Sequence, residues 1–248
     1  MFKPTGWVLL AGFWGLAAQS AADTLNLAVA ANFAAPMKQL EQRFEAASGH
    51  DVQVSLGSTG KLYAQIQNGA PFEVLLSADK ERPQALVDEG LALADSLRVY
   101  AVGQLLLWGA DAALVDAQGE VLSSNKFKHL AIANPKTAPY GTAAQQVLEK
   151  RGLWAGLAEK IVRGENITQT HQFVATGNAE LGFIALSQYT QESGGSFWKV
   201  PEDLYAPIEQ AMVVLKKGKD KPVVKAWLAF LATPEARQLI ESFGYKVP

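Results

Sequence analysis

Leu25-Asn-Leu-Ala-Val-Ala-Ala-Asn-Phe-Ala-Ala-Pro-Met37 is the stretch on which the fold turns. Its first half, Leu25 to Ala30, alternates large and small apolar side chains and reads as a buried strand. Pro36 then opens a helix, where a residue without an N–H loses nothing. Phe33, Met37, Leu40 and Phe44 place one apolar stripe on that helix, spaced to pack on a sheet. Ser48-Gly49 stops it. The unit repeats downstream. Val52 to Leu56 is a second strand, Gly57-Ser-Thr-Gly60 a turn, and Leu62 and Ile66 one face of a second helix. Phe72 to Leu76 is a third strand, and a third helix is expected from Pro83 to Asp88. Strand and helix in alternation predict an α/β fold built on a parallel sheet.

The rhythm breaks at Val99 to Trp108, expected as one long strand, and at the polar stretch Ala110 to Lys128. A second series starts at Leu130-Ala-Ile-Ala133. It continues through a helix from Gly141 to Arg151, a short strand from Lys160 to Val162, a helix within Asn166 to Thr176, and a strand from Leu181 to Leu186. Ile208 to Leu215 is apolar enough for a central strand returning to the first sheet, and helices from Pro222 to Ala232 and Pro234 to Phe243 close the chain. Two series predict two lobes: residues 23–102 plus 205–248, and residues 103–204, joined by two crossings that make a hinge.

Residues 1–22 carry one charge, Lys3, then an apolar run of about 12 residues, short of the roughly 20 that span a bilayer. Ser20 and Ala22 suit a signal peptidase, so cleavage is expected after Ala22. The chain has no cysteine, which excludes disulfides, thiolate metal sites and a lipidated cysteine. Twenty-two basic against 24 acidic residues give no polyanion-binding excess, so no nucleic-acid partner is expected.

Four strand-to-helix turns share a chemistry: Ala30 to Pro36, Gly57 to Gly60, Ala138 to Thr142, and Glu165 to Gln169. Each starts a helix, whose free N–H groups and partial positive charge favour an anion. Asn32, Ser58, Thr59, Tyr140 and Thr168 add donors, while Ala31, Gly57, Gly60 and Gly141 keep the surroundings small. Any one of these could be an ordinary helix cap. Gly57-Ser-Thr-Gly-Lys61 does not have the spacing of a nucleotide phosphate loop. His50, His129 and His171 form no metal-binding pair, and no Gly-x-Ser-x-Gly elbow is present. His171 could cap or line a cleft. Asp79 and Glu165 fit helix capping or pairing with Lys and Arg. Trp108, Trp154, Trp198 and Trp227 read as packing.

These turns resemble those of the periplasmic molybdate-binding proteins of ABC importers. The resemblance rests on Ala-Val-Ala-Ala-Asn-Phe33, Gly57-Ser-Thr-Gly60, Asn68-Gly-Ala-Pro-Phe72 with Leu76-Ser-Ala-Asp79, Asn134-Pro-Lys-Thr-Ala-Pro-Tyr-Gly141 and Leu181-Gly-Phe-Ile184, and it covers the whole chain beyond the leader. It implies a type II periplasmic-binding-protein fold with a tetrahedral oxyanion held between the lobes by neutral donors. No catalysis, no cofactor and no direct protein–metal bond are implied, and molybdenum enters only as its oxyanion. By this resemblance Ala31 and Asn32 match the first ligand turn, and Thr59, with Ser58 beside it, the second. Tyr140 matches the backbone donor of the third turn and Ile167 that of the fourth. Two positions depart from the family's common branch: Asn32 stands for Ser, and Ala185 stands where that branch supplies a Tyr hydroxyl. The Asn32 amide or the Ala31-Asn32 backbone is expected to replace that donor. Molybdate, with tungstate, is the expected ligand, a membrane permease the expected partner, and a periplasmic monomer the expected form. Molybdate is a full dianion without a proton, so its site should hold donors only. Removing the Asn32 amide or the Thr59 hydroxyl should each weaken binding by about 1.5–3 kcal/mol. A sulfate receptor of the same fold is the alternative. An exported enzyme using Glu165 or His171 is the reading from another class.

Overall fold

The computed structural model describes residues 22–248, so the leader, apart from Ala22, lies outside the described residues. The chain runs β1 (Thr24–Ala30), α1 (Ala34–Ser48), β2 (Asp51–Gly57), α2 (Thr59–Gln67), β3 (Val74–Leu76), α3 (Glu81–Asp88) and β4 (Arg98–Gly103). A second series follows: β5 (Leu105–Gly109), β6 (Leu130–Ala133), α4 (Pro139–Lys150), β7 (Ile161–Gly164), α5 (Ile167–Ala175), β8 (Leu181–Ala185) and β9 (Ser196–Lys199). The last part is β10 (Ile208–Val214), α6 (Pro222–Leu231) and α7 (Pro234–Ser242).

Two five-stranded sheets result, ordered β2-β1-β3-β10-β4 and β7-β6-β8-β5-β9. In the first, β1 lies parallel between β2 and β3, while β10 runs antiparallel to both β3 and β4. In the second, β6 lies parallel between β7 and β8, while β5 runs antiparallel to both β8 and β9. The two lobes are thus topological copies. In each, the strand that has just crossed from the other lobe is the antiparallel one.

The apolar stripe expected on α1 is what it buries: Met37, Leu40 and Phe44 sit in one core with Phe33, Trp227 and the inner face of β1. Burying side chains of this size contributes about 1.5–3 kcal/mol each. A separate core fills the second lobe around Leu130, Ile132, Leu148 and Phe183. Two expectations fail. The strand expected from Val99 to Trp108 is cut at Gln104: β4 ends the first sheet and β5 begins in the second. Gln104 gives its carbonyl to the Leu186 N–H at 2.9 Å, a bond outside either ladder. An apolar run records burial and is silent about which sheet provides it. The four-residue edge strand β9 was not expected, and the stretch expected to be polar buries Val115, Val121, Leu122 and Phe127. The tryptophans behave as packing: Trp108, Trp198 and Trp227 are all buried.

Candidate functional site

The carboxyl ends of β1 and β2 and the N-termini of α2, α4 and α5 converge on one small cavity between the lobes. Ala30, Ala31, Asn32, Gly57, Ser58, Thr59, Ala78, Ala138, Pro139, Tyr140, Asn166 and Ile167 line it. All six residues singled out for ligand contact are therefore brought together. The cavity is small, about 10 Å³. That is far below the roughly 300 Å³ at which pockets for drug-sized molecules begin, and matches a site for at most one small ion. No lining side chain is charged.

Helix geometry leaves the first N–H groups of each helix without an internal acceptor. Thr59 opens α2, Tyr140 is second in α4, and Ile167 opens α5. Ala31 and Asn32 begin the short 3-10 turn, Ala31 to Phe33, that leads into α1. Among the described residues, no turn or capping bond occupies any of these five N–H groups.

Ser58 is the N-cap of α2, yet its side chain makes no capping bond. Its Oγ is buried without a partner, and among the described residues it is the one such atom in a residue that lines the cavity. An unpaired buried hydroxyl costs about 1–3 kcal/mol, so something outside the chain is required to satisfy it. Asn166 behaves oppositely. Its Oδ1 accepts the Gln169 N–H at 3.0 Å, as an ordinary cap does. Thr59 Oγ1 accepts the Ala78 N–H at 3.0 Å, which leaves its own proton to donate.

Asn32 differs from expectation. Its amide donates to Gln210 Oε1 and to the Tyr245 hydroxyl, both at 2.9 Å, so both hydrogens are engaged within the protein. Thr168, expected to offer a hydroxyl to the ligand, donates instead to the Ala31 carbonyl at 3.3 Å. The Tyr140 phenol accepts from Gln210 Nε2 at 3.1 Å, and a Cβ on Gly103 would lie 2.0 Å from its oxygen. That places the phenol against the first crossing between lobes, and the residue's cavity-side donor is its backbone. Burial and the neighbouring Tyr245 raise the Tyr140 phenol well above 10, and burial pushes Tyr245 up to about 12, so both stay neutral. Ala185 is fully buried and does not line the cavity.

Of the four small residues, Ala31 and Gly57 line the cavity, while Gly60 and Gly141 serve close packing elsewhere. A Cβ on Gly141 would fall 2.2 Å from the Ala133 carbonyl, so glycine there lets α4 lie against β6. A Cβ on Gly60 would fall 3.0 Å from Thr137 Cα, which belongs to the opposite lobe. Glu165 pairs with Lys61 across the cleft rim, and Asp79 pairs with Arg82 and accepts its N–H at the start of α3. His171 stacks on Trp108 at 4.9 Å between ring centroids and does not line the cavity. Gln210, Tyr245 and Ser187 were not foreseen. A glutamine inside the apolar run Ile208 to Val214 was the available signal, since a buried polar group needs partners.

The family of bacterial extracellular solute-binding proteins matches residues 25–246. The molybdate-binding protein ModA of Azotobacter vinelandii is 55% identical over 238 residues, which span 95% of this chain and 94% of that one. ModA of Rhodobacter capsulatus is 49% identical, over 97% of this chain and 95% of its own. The solved structure of the A. vinelandii periplasmic molybdate-binding protein superposes with a TM-score of 0.88 at 41% identity, covering 90% of this chain and 99% of that one. The sulfate-binding protein SubI of Mycobacterium tuberculosis, at 14% identity and a TM-score of 0.75, shares the fold alone. Two copied lobes closing on an uncharged cavity, with these relatives beside them, place the chain: it belongs to the bacterial extracellular solute-binding proteins, where its sequence groups with the ModA-type members.

Proposed function

We propose that this protein is a receptor for molybdate, and for tungstate, that passes the oxyanion to the permease of an ABC importer. The observation that carries the reading is the Ser58 hydroxyl, buried and unpartnered in a cavity with no charged side chain and several free N–H groups. Such a site offers donors and no carboxylate. It suits an anion without a proton better than hydrogen phosphate, which would need an acceptor. Bonds from fixed N–H groups to an ion are about twice as strong as neutral ones, and the convergent dipoles offset the dianion's lost hydration. The ligand set we assign is Ala31, Asn32, Ser58, Thr59, Tyr140 and Ile167. With the Asn32 amide engaged elsewhere, the Ala31-Asn32 backbone supplies the donor that replaces the Tyr hydroxyl at Ala185. No cofactor is needed for this role.

Lobes of residues 23–102 plus 205–248 and 103–204 would close about the crossings at Gln104 and near Tyr205. Closure requires greater affinity for the shut form, which donors from both lobes supply. We read the protein as a binder and not an enzyme, because neither Glu165 nor His171 lines the cavity. A periplasmic location follows from the expected leader. No described helix is long and apolar enough to cross a membrane, and the absence of cysteine removes a lipid-anchor site. We assign a monomer.

Calorimetric titration with molybdate, tungstate, sulfate and phosphate in one buffer tests the reading. Tight one-to-one binding of the first two, with the others silent, is the expected result. Heat from sulfate alone would keep the cavity and replace the ligand.

A further inference from the structure

The first binding turn is held from behind by the opposite lobe. Ser187, just after β8, donates its hydroxyl to the Asn32 carbonyl at 2.9 Å. Thr168, on α5, donates to the preceding carbonyl, Ala31, at 3.3 Å. The Tyr245 hydroxyl, from the first lobe, sits 2.9 Å from the Asn32 carbonyl and 3.0 Å from Ser187 Oγ, so it closes the group. Ser187 and Tyr245 are each 5% exposed. The other side of the cavity repeats the device with the lobes exchanged. The Gly60 N–H donates to the Thr137 carbonyl at 2.9 Å and Arg82 Nη2 to the Lys136 carbonyl at 3.1 Å. On each side, donors of one lobe grip two successive carbonyls in the loop that carries the other lobe's binding turn. Ser187, Thr168, Tyr245 and Arg82 do not line the cavity.

We propose that Ser187 and Thr168 are positioning residues: their hydroxyls clasp the first binding turn only when the lobes are shut, and so set how much of the protein is closed. This rests on reading the cavity as the oxyanion site. The apparent affinity of a ligand for a state that is fractionally populated falls in proportion to that fraction. Weakening the clasp therefore lowers affinity without touching the anion. Asn32 O keeps Tyr245 as a second donor, and Ala31 O keeps the Ala34 N–H, so neither carbonyl is orphaned by a single change. The expected loss is that of one ordinary bond: about 3- to 10-fold in Kd for Ser187→Ala and about 2- to 5-fold for the longer Thr168 bond. The loss appears in the release rate, because the open form that captures the ion is unaltered. Every anion bound should lose affinity by the same factor. The rim pair Lys61–Glu165 also spans the cleft, but both side chains are more than half exposed, so its loss should change affinity less than either clasp.

The test uses wild type, Ser187→Ala, Thr168→Val and Thr168→Ser. Each is titrated calorimetrically with molybdate, tungstate, sulfate and phosphate, and release is followed by stopped flow. Equal factors for each anion bound, faster release, full one-to-one stoichiometry and recovery in Thr168→Ser support the clasp. If Ser187→Ala does not fold, the Thr168 pair decides. Affinities of Ser187→Ala and Thr168→Val within the error of wild type overturn the proposal, as do unequal factors between anions, which would put the hydroxyl on the ion. Wild type silent to molybdate but binding sulfate refutes the ligand assignment alone, with sulfate then reporting on the clasp. Silence to all four refutes both.

Discussion

Replacing Ser58 by alanine should separate two quantities that usually move together. A serine at a helix N-cap normally bonds a first-turn N–H, and its loss costs about 0.5–2 kcal/mol of stability. Here the hydroxyl caps nothing and has no protein partner. Ser58→Ala therefore removes an unsatisfied buried group and should leave the ligand-free protein as stable as before, or slightly more so. The ligand loses one bond from a neutral donor to a charged acceptor, worth about 1.5–3 kcal/mol. At 1.4 kcal/mol per tenfold, Kd should rise about 12- to 150-fold. Chemical denaturation without ligand gives the first quantity and calorimetry the second. A ligand-free protein destabilised by about 1 kcal/mol or more would show that the hydroxyl is a cap. An unchanged Kd would show that it is no ligand donor. Either result alone refutes the reasoning.

Other changes carry different signatures. Asn32→Ala strips donors from Gln210 and Tyr245 but keeps the backbone N–H, so its main effect should be to destabilise the fold by about 1–3 kcal/mol, with urea denaturation as the readout. Gly141→Ala puts a Cβ 2.2 Å from the Ala133 carbonyl and should cost about 1–3 kcal/mol through overpacking, measured the same way. Burial against Trp108 lowers the pKa of His171 below its ordinary value, so the unfolded chain takes up this proton first. Its contribution to stability is complete above about pH 6.5 and is lost as pH falls toward the lowered folded value. Denaturation at pH 7.5 and pH 5 should show a shallower pH slope for His171→Asn than for wild type, and identical slopes would exclude the residue.

Much of this molecule is legible in local pattern because its lobes repeat one unit. The stripe of Phe33, Met37, Leu40 and Phe44 marks α1, and Pro222 and Pro234 mark two helix starts within the elements that form. The six candidate site residues also meet, because turns after parallel strands share one edge of a sheet. What the pattern hides is partnership. Nothing local distinguishes Ser58, which has no partner, from Asn166, which caps α5, although both are polar residues before a helix. The Asn32 amide looks free until Gln210 and Tyr245 arrive from 178 and 213 residues away. The break at Gln104 is equally invisible, since Leu105 to Trp108 is as apolar in the second sheet as it would be in the first.

The placement of β10 bears on how the chain comes into being. Val74 of β3 pairs with Val214, and Ile208 pairs with Gly103 of β4, so the strand that joins β3 to β4 is made almost last. Until synthesis reaches it, the first sheet is a three-stranded fragment with an open edge, and β4 has no neighbour in it. Such distant pairing delays the cooperative step of folding to the end of the polypeptide. The cost of that delay is that the edges of β3 and β4 stay exposed until the last quarter of the chain has been made.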